Sequence, residues 1–483
     1  MRWRSAAIDG QVPSHVAALW TRILHGRELE LDQIHKSRSR KEQSNVDELI
    51  HALLEIVALA DEACVGVGIP DENGKPGDPF EQIANARLVN RPGRKDQSST
   101  LCREIDPSLF AVLPKLHTPQ NGITLRSLTH NLALVVSPEV KITWNWAPSK
   151  GIARKYIYHG INALILPLPY TISPAAFSQR KPISGWLRNM PVEYGFFDFT
   201  NILKGDWIAA IEKILRTANE CVEKIELVIL PELSLNEQNL DQLSELLLKQ
   251  PVPPMVVCGV ALAANNPTEF PRNTCVTLNF VELPDGSKRY ARTVQDKHHR
   301  WRLDARQIKQ YGLGSRLDPS RNWWEACSVF NREINFHAVT SWLTLCTLIC
   351  EDLARPDPIG NVVRCIGPNL VIALLMDGPQ LSNRWPARYA SVLADDPGSS
   401  ILTVTSLGMA QLSTPQGCTP SRVVALWKDA VSGVNREIEL PPGNQAIVLC
   451  MTRERCEEFS ADGRGDREAT AHVTLSGVHT LHV

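Results

Sequence analysis

Three side chains of complementary chemistry stand, in chain order, each at a segment boundary. "IELVIL" (225–230) gives way to Pro231-Glu232-Leu233, the run around "KRYART" leads into "VQDKHHRWR" with Lys297, and "LTLCTLI" (343–349) ends on Cys350-Glu351-Asp352. The set is a carboxylate, an ammonium and a thiol. A free thiol is only slightly ionised at neutral pH, so a nucleophilic cysteine needs a base or a cation beside it. A glutamate can accept the thiol proton and later hand it to a leaving amine. A lysine can hold the oxyanion of a tetrahedral intermediate, assisted by the backbone N–H of Glu351 after the nucleophile. Singly, each has an ordinary explanation: a strand-end carboxylate, a surface lysine next to a hydrogen-bonded His298-His299 pair, a small core cysteine. The signal lies in the combination and its order.

That ordered set resembles the nitrilase, or carbon–nitrogen hydrolase, superfamily. Its signature is a Glu after a strand ending in "PE", a Lys in a "K-x-H"-like segment and a Cys in an "I-C-x-D/E" turn, here "LVILPEL", "QDKHHRW" and "TLICEDLARP". "MVVCGVAL" and "RNTCVTL" resemble two further strands of the family through Gly259 and Asn273. "DGSKRYARTVQDK" resembles the hairpin that leads to the lysine. "PNLVIALLMD", "NRWPARYASVLADD" and "ILTVTSLGMA" resemble the strand–helix–strand after the cysteine, with Arg388 at the family's "r-a-R-a" position. The likeness covers roughly residues 158–455.

The resemblance implies an α/β fold, a four-layer α-β-β-α sandwich that pairs as a homodimer or higher homo-oligomer. It also implies hydrolysis or acyl transfer at a non-peptide amide or nitrile, with no cofactor and no metal. Cys350 would attack the carbonyl, Lys297 would stabilise the oxyanion, and Glu232 would protonate the leaving amine and then activate water against the thioester. Glu325 in "NWWEACS" matches a second family glutamate that orients substrate and lysine. The chain departs from the pattern where an aromatic residue usually follows the cysteine, since Glu351 stands there. "ICEDL" is most like the glutaminase-type amidase branch, which implies an amide rather than a nitrile. Asp395-Asp396 replace a usual Glu-Asn pair, so a remodelled substrate pocket is expected. Glu351, and Asp377 directly after "LVIALLM", are the candidate substrate-binding residues. A carboxylate beside the nucleophile raises its pKa unless compensated, and one at the pocket rim attracts a cationic group. A solvated loop acid is the ordinary explanation of Asp377.

The elements that must position these groups begin near residue 160. "NALILPLPY", "IELVIL", "PMVVCGVAL", "TCVTLNF", "LTLCTLI", "LVIALL" and "ILTVTSL" have the texture of buried strands. Helical patterns at 206–224, 235–250 and 383–394 fall between them, and strands alternating with helices indicate covered sheets. Two long segments, 171–203 with three prolines and no clear period and 298–324 rich in Arg and ending in two tryptophans, are expected to be functional loops. Upstream, Ser44 with Asp47 three residues on resembles a capping box, and Val46, Leu49, Ile50, Leu53, Leu54 and Val57 recur at helical spacing. The expected organisation is a mostly α-helical N-terminal domain (1–155), a nitrilase-like domain (156–455) and a C-terminal tail (456–483).

The 483 residues carry 51 Lys plus Arg against 52 Asp plus Glu, so no overall field favours nucleic acid or an anionic membrane. The longest apolar runs fall far short of a spanning helix, so no membrane role is expected. The opening "MRWRSAAIDGQVPSHV" lacks the apolar core of a signal peptide, and twelve cysteines without C-x-x-C pairs fit reduced thiols, so the expectation is cytoplasmic. Neither paired zinc ligands nor H-E-x-x-H occur. Two readings compete with a hydrolase. One is a nitrilase-fold sensing module that binds a small molecule without turnover. The other makes the N-terminal region a dock for a protein or nucleic-acid partner, through the basic clusters at 35–41 and 87–95, with the hydrolase domain as effector. Nitrilase-like domains fused to unrelated modules occur in the superfamily, including in bacterial defence proteins.

Overall fold

Runs that are apolar at every position require cover on both faces, and here they become the centres of two seven-stranded sheets. The computed structural model describes residues 9–26, 40–70, 79–88, 99–102, 104–116, 123–146, 160–181, 191–201, 203, 205–264, 266, 269–283, 285–414 and 417–483. The first sheet runs, in spatial order, Lys288–Asp296, Arg272–Glu282, Met255–Leu262, Leu227–Asn236, Gly160–Ile165, Ala446–Arg455 and Ala471–Leu481. The second runs Asn435–Glu439, Val423–Lys428, Ser400–Thr405, Leu370–Leu375, Thr344–Ile349, Glu333–Ala338 and Lys141–Trp146. The middle three strands of each sheet are parallel.

Alternation along the strands of the first sheet sorts side chains between two layers. Ile161, Ala163, Ile165, Leu227, Ile229, Met255 and Val257 join the core shared with the second sheet. Leu164, Val228, Leu230, Val256 and Cys258 point the other way, onto the helices Trp207–Val222 and Glu237–Leu248. The first of these helices buries Ile211, Ile214, Leu215 and Ala218, one stripe at helical spacing, and Asp206 caps its start. Each such large apolar side chain contributes about 1.5–3 kcal/mol on burial. On the far side, Val362, Val363 and Ile366 of the helix Asn361–Ile366 and Ala390 and Leu393 of the helix Trp385–Asp395 cover the second sheet. Helix, sheet, sheet and helix stack as the expected four-layer α-β-β-α sandwich.

The structure departs from the sequence expectations in four places. The segments 171–203 and 298–324, expected as loops, contribute to a third sheet of four short strands: Arg302–Leu303, Asn322–Glu325, Tyr194–Phe199 and Phe177–Gln179. An aromatic cluster of Phe177, Phe197, Trp301, Tyr311 and Trp323 holds it against Leu233, Met376 and Met409 of the sandwich. Lys141–Trp146, from the region expected to be mostly helical, is the edge strand of the second sheet, parallel to Glu333–Ala338. Residues 456–483, expected as a tail, hold the strand Ala471–Leu481, which pairs along its length with Ala446–Arg455. Finally, the helix expected from Ser44 starts at Arg40 and runs to Ala63. Val46 and Ala52 of it are buried, whereas Ile50, Leu53 and Leu54 of the expected apolar face are exposed.

The remaining described N-terminal elements are the helices Ser14–Gly26 and Pro79–Leu88 and a two-stranded ladder of Phe110–Pro114 with Leu132–Val136. The basic clusters at 35–41 and 87–95 lie almost wholly outside the described residues. Among the described residues no helix is long and apolar enough to cross a membrane.

Candidate active site

Each of the three leading residues is delivered by a specific irregularity of the sandwich. In the first sheet, Leu230 pairs with Cys258 but Leu235 pairs with Val260, so five steps on one strand oppose two on the other. The intervening residues, Pro231 to Ser234, face the single Gly259 of the neighbouring strand, so they bulge out of the ladder and carry Glu232 with them. Leu233, next in the chain, takes φ +51°, a left-handed conformation unusual for a side chain of its kind. Gly259 lies directly beneath: a Cβ built there would come within 2.4 Å of the Glu232 Cα and of the Pro231 carbonyl oxygen. Only glycine lets the bulge settle onto the neighbouring strand. The bulge is tied down by Ser234 Oγ donating to the Gly259 carbonyl at 3.2 Å and by Asn201 Nδ2 donating to the Ser234 carbonyl at 2.8 Å.

Lys297 follows the edge strand Lys288–Asp296, and its backbone N–H donates to the Asn273 carbonyl at 2.9 Å. Two residues earlier Gln295 reaches across the core. Its Nε2 donates to the Thr347 carbonyl at 2.8 Å, and its Oε1 accepts from the Asn335 N–H at 2.9 Å. The strand that ends in the lysine is thereby pinned to the strand that ends in the cysteine.

Cys350 opens the short 3₁₀ turn Cys350–Ala354 with φ +48°. A side chain held in that region costs about 1–2 kcal/mol, and such strain gathers where a functional group must be displayed. The turn is anchored by Asp352, whose buried carboxylate accepts from the His298 backbone N–H at 3.1 Å and faces His299 Nδ1 at 2.9 Å. Asp352 therefore joins the nucleophile turn to the lysine turn. The sequence shows it only as part of a motif, not as this tie. His298 is also buried rather than on the surface, with Nε2 3.1 Å from the Glu333 carbonyl oxygen.

These deliveries converge. Lys297 Nζ donates to Glu232 Oε1 at 2.7 Å and to Glu325 Oε2 at 2.6 Å, and all three residues are at most 5% exposed. Asn273 Nδ2 donates to Glu232 Oε1 at 2.7 Å and to Glu325 Oε1 at 2.6 Å. Glu325, at the end of its strand in the small sheet, also accepts from the Trp301 N–H at 3.2 Å. Glu232 Oε2 is buried with no hydrogen-bond partner among the described residues. One oxygen of Glu232 is thus fixed by a cation and an amide, and the other is left open to a proton.

Burial pushes the Glu232 carboxyl above its ordinary range; Lys297 pulls it back and Glu325 pushes it further up. Burial also works against the Lys297 ammonium, but Glu232 and Glu325 outweigh it and hold the group well above the ordinary lysine value. The Cys350 thiol is pushed well up, first by burial and then by Glu232, with Lys297 opposing and Asp377 and Glu351 adding to the rise. These effects favour the un-ionised thiol, so a nucleophilic role for Cys350 would need a base.

A cavity of about 330 Å³ opens onto Cys350, walled by Trp301, Met376, Trp385 and Tyr389 and by the charged Arg302, Glu351, Arg355, Asp377 and Arg388. Both sequence-predicted binding candidates line it. Glu351 pairs with Arg355 one turn on. Asp377, expected at the rim, is instead buried, with Oδ1 accepting from Arg384 Nη2 at 2.8 Å and Oδ2 unpartnered among the described residues. Burial pushes its carboxyl up, Arg384 countering.

No protein-family model and no curated protein matches the chain. Solved structures that it resembles include Nit3 of Saccharomyces cerevisiae, a member of branch 10 of the nitrilase superfamily (12% identity, 60% of this chain and 90% of that one, TM-score 0.35). They also include the carbon–nitrogen hydrolase of Helicobacter pylori G27 (13% identity, 58% and 86%, TM-score 0.33). A third is the glutamine-dependent NAD+ synthetase of Acinetobacter baumannii (11% identity, 66% and 48%, TM-score 0.36). The chain is similar in structure to members of the nitrilase superfamily.

Proposed function

We propose that this protein hydrolyses a non-peptide amide through a thioester on Cys350. The observation that carries the reading is the buried Lys297 bridging Glu232 and Glu325, with Glu232 Oε2 unpartnered among the described residues and Cys350 lining a cavity. Substrate enters with its carbonyl carbon over the sulfur. Glu232 takes the thiol proton as the C–S bond forms, and the carbonyl oxygen, now an oxyanion, is held by the Lys297 ammonium and the Glu351 backbone N–H. Collapse of the intermediate breaks the C–N bond, and the proton on Glu232 leaves with the amine. Water then enters, Glu232 takes one of its protons, and the hydroxide adds to the thioester carbonyl. Breaking the C–S bond releases the acid and returns that proton to the sulfur. Glu325 keeps Lys297 aimed, and Asn273 keeps both carboxylates apart and oriented. Glu351 and the unpartnered oxygen of Asp377 supply acceptors for N–H groups of the substrate.

The test is ammonia release from a panel of ω-amides, carbamoyl compounds and nitriles, with intact-mass detection of an acyl adduct, on the wild type and Cys350→Ala. Turnover and an adduct that both require Cys350 are expected. Silence across the panel, with Cys350 also inert to a small alkylating agent, would overturn the reading in favour of a module that binds without turnover.

A further inference from the structure

A second cavity, of about 660 Å³, is twice the size of the one over Cys350 and shares no lining residue with it. It lies between the start of the helix Trp207–Val222 and the stretches 168–176 and 199–203. Its walls are mostly apolar, with Tyr170, Phe199, Trp207, Ile211 and Ile214 among them. A volume of this order suits a small molecule. Asp206 is its one charged lining residue; it is exposed and, among the described residues, pairs with no basic side chain. Asp206 Oδ1 accepts from the Ala209 N–H at 3.1 Å, so the helix start already has its negative charge and does not call for an anion. At Asp206 and Trp207 the cavity adjoins a groove of about 410 Å³ between the helices Trp207–Val222 and Glu237–Leu248. Glu212 and Glu245 line that groove, so with Asp206 three acids face the single Lys249. An apolar chamber thus meets an acidic channel at one shared doorway.

We propose that chamber and channel form one binding site for an amphipathic amine, separate from the site at Cys350, whose occupancy steadies the bulge that carries Glu232. The apolar body fills the chamber, and the ammonium lies at the doorway by Asp206 and Trp207, an acid and an aromatic ring that both favour a cation. An anionic end would meet three carboxylates there. The link to the bulge is Asn201. It lines the chamber, and its Nδ2 donates to the Ser234 carbonyl at 2.8 Å, within the bulge. The Thr200 N–H donates to the Ala176 carbonyl at 2.9 Å, which ties two of the chamber walls together. A ligand held between those walls restricts Asn201 and so opposes local opening of the bulge. None of this depends on the amidase reading.

The probe is dansylcadaverine, a naphthalene sulfonamide on an alkyl chain that ends in an ammonium. It is compared with its N-acetyl derivative, which is neutral, and with dansyl-6-aminohexanoic acid, which ends in a carboxylate. Binding is read from dansyl emission, which rises in apolar surroundings, and the bulge from hydrogen–deuterium exchange of the 232–236 amides. The amine is expected to bind about fivefold or more tighter than the acetylated probe, with the carboxylate weakest. That preference is expected to shrink with added salt and in Asp206→Asn, which keeps the helix cap. Ala210→Trp, which fills the chamber, is expected to abolish binding of all three, its folding checked by circular dichroism. With the amine bound, exchange of the bulge amides is expected to slow about threefold or more in the wild type, but not in Asn201→Ala at matched saturation. Equal binding of the three probes, tightest binding of the carboxylate, no binding, binding unmoved by Ala210→Trp, or bulge exchange that ignores bound amine would each overturn the proposal. Neither readout needs turnover. A protein inert toward every amide would leave the proposal standing while the amidase reading falls, and an active amidase that ignores the probe would do the reverse.

Discussion

Asn273 shows how much of the site depends on a residue with no chemistry of its own. Its amide nitrogen bridges Glu232 and Glu325, two carboxylates that the ammonium of Lys297 also bridges. Without it, Glu232 loses a donor that favours its charged form, while burial and the charge of Glu325 still oppose ionisation. The sign follows directly. In the proposed mechanism Glu232 must be ionised to take the thiol proton, so the acid limb of kcat/KM is expected above the ordinary carboxylate range, and Asn273→Ala is expected to move it to still higher pH. Misplacement of the base lowers kcat/KM by about 100-fold at neutral pH. A pH–rate profile of wild type and variant checks this. A uniform drop with an unmoved acid limb would mean that Asn273 serves packing and not the charge of Glu232. The sequence displayed Asn273 as a strand residue in "RNTC", but its clamp on two acids was invisible, because the partners come from the bulge at 231–234 and from a separate sheet.

At the scale of elements, the candidate catalytic groups were legible where a long buried strand stops. Near-continuous apolar runs betray such strands, and a polar residue directly after one stands out. Glu232 and Cys350 met that condition; Lys297 follows a largely exposed edge strand and stood out only by its order in the set and the family resemblance. Glu325 was found only through family resemblance, and its sheet was not found at all. Its strands span two to six residues, too few to show a period, and what stabilises them is a cluster of aromatic side chains gathered from several stretches of chain. The bulge that carries Glu232 was equally hidden, since nothing in "LVILPELSLN" says which neighbour will slip. Its partner Gly259 offers the sharpest check. Gly259→Ala places a methyl group within 2.4 Å of two backbone atoms of the bulge, which cannot rotate away as a side chain would. The expected outcome is a loss of about 1–3 kcal/mol in stability together with a large fall in kcat/KM. Gly314→Ala, where an added Cβ meets nothing within 4 Å, is the control and stays near wild type in both. An active, fully stable Gly259→Ala protein would show that the bulge is not seated as described.

For the whole molecule, the notable closure is between its two ends, which the sequence had set apart as a separate helical domain and a tail. Asp61, near the end of the helix Arg40–Ala63, is fully buried, and its carboxylate accepts from the N–H groups of His130, Asn131 and Leu132 at 2.7–3.0 Å. Arg464, some 400 residues on, donates to the same carboxylate at 3.0 Å and to the Leu128 carbonyl at 2.7 Å. The clasp reaches toward the site as well. Arg126, in the segment that Asp61 organises, pairs with Asp396 at 3.2 Å, at the end of the helix whose start carries Trp385 and Arg388. A carboxylate receiving three backbone N–H groups in the interior cannot be removed without stranding them, at about 1 kcal/mol or more each. Asp61→Ala is therefore expected to cost about 3 kcal/mol or more. Asp61→Asn should cost less, because its remaining oxygen still accepts from two of the three donors. Urea denaturation of wild type, both Asp61 variants and Arg464→Ala, read as midpoint shifts at unchanged slope, tests the ranking. Were Asp61→Ala to unfold in two steps, with the second at the wild-type midpoint, the helical region would be a separable domain and the clasp a local contact. One displaced transition, with Arg464→Ala moving the same way, would make the two ends part of one cooperative fold with the sandwich.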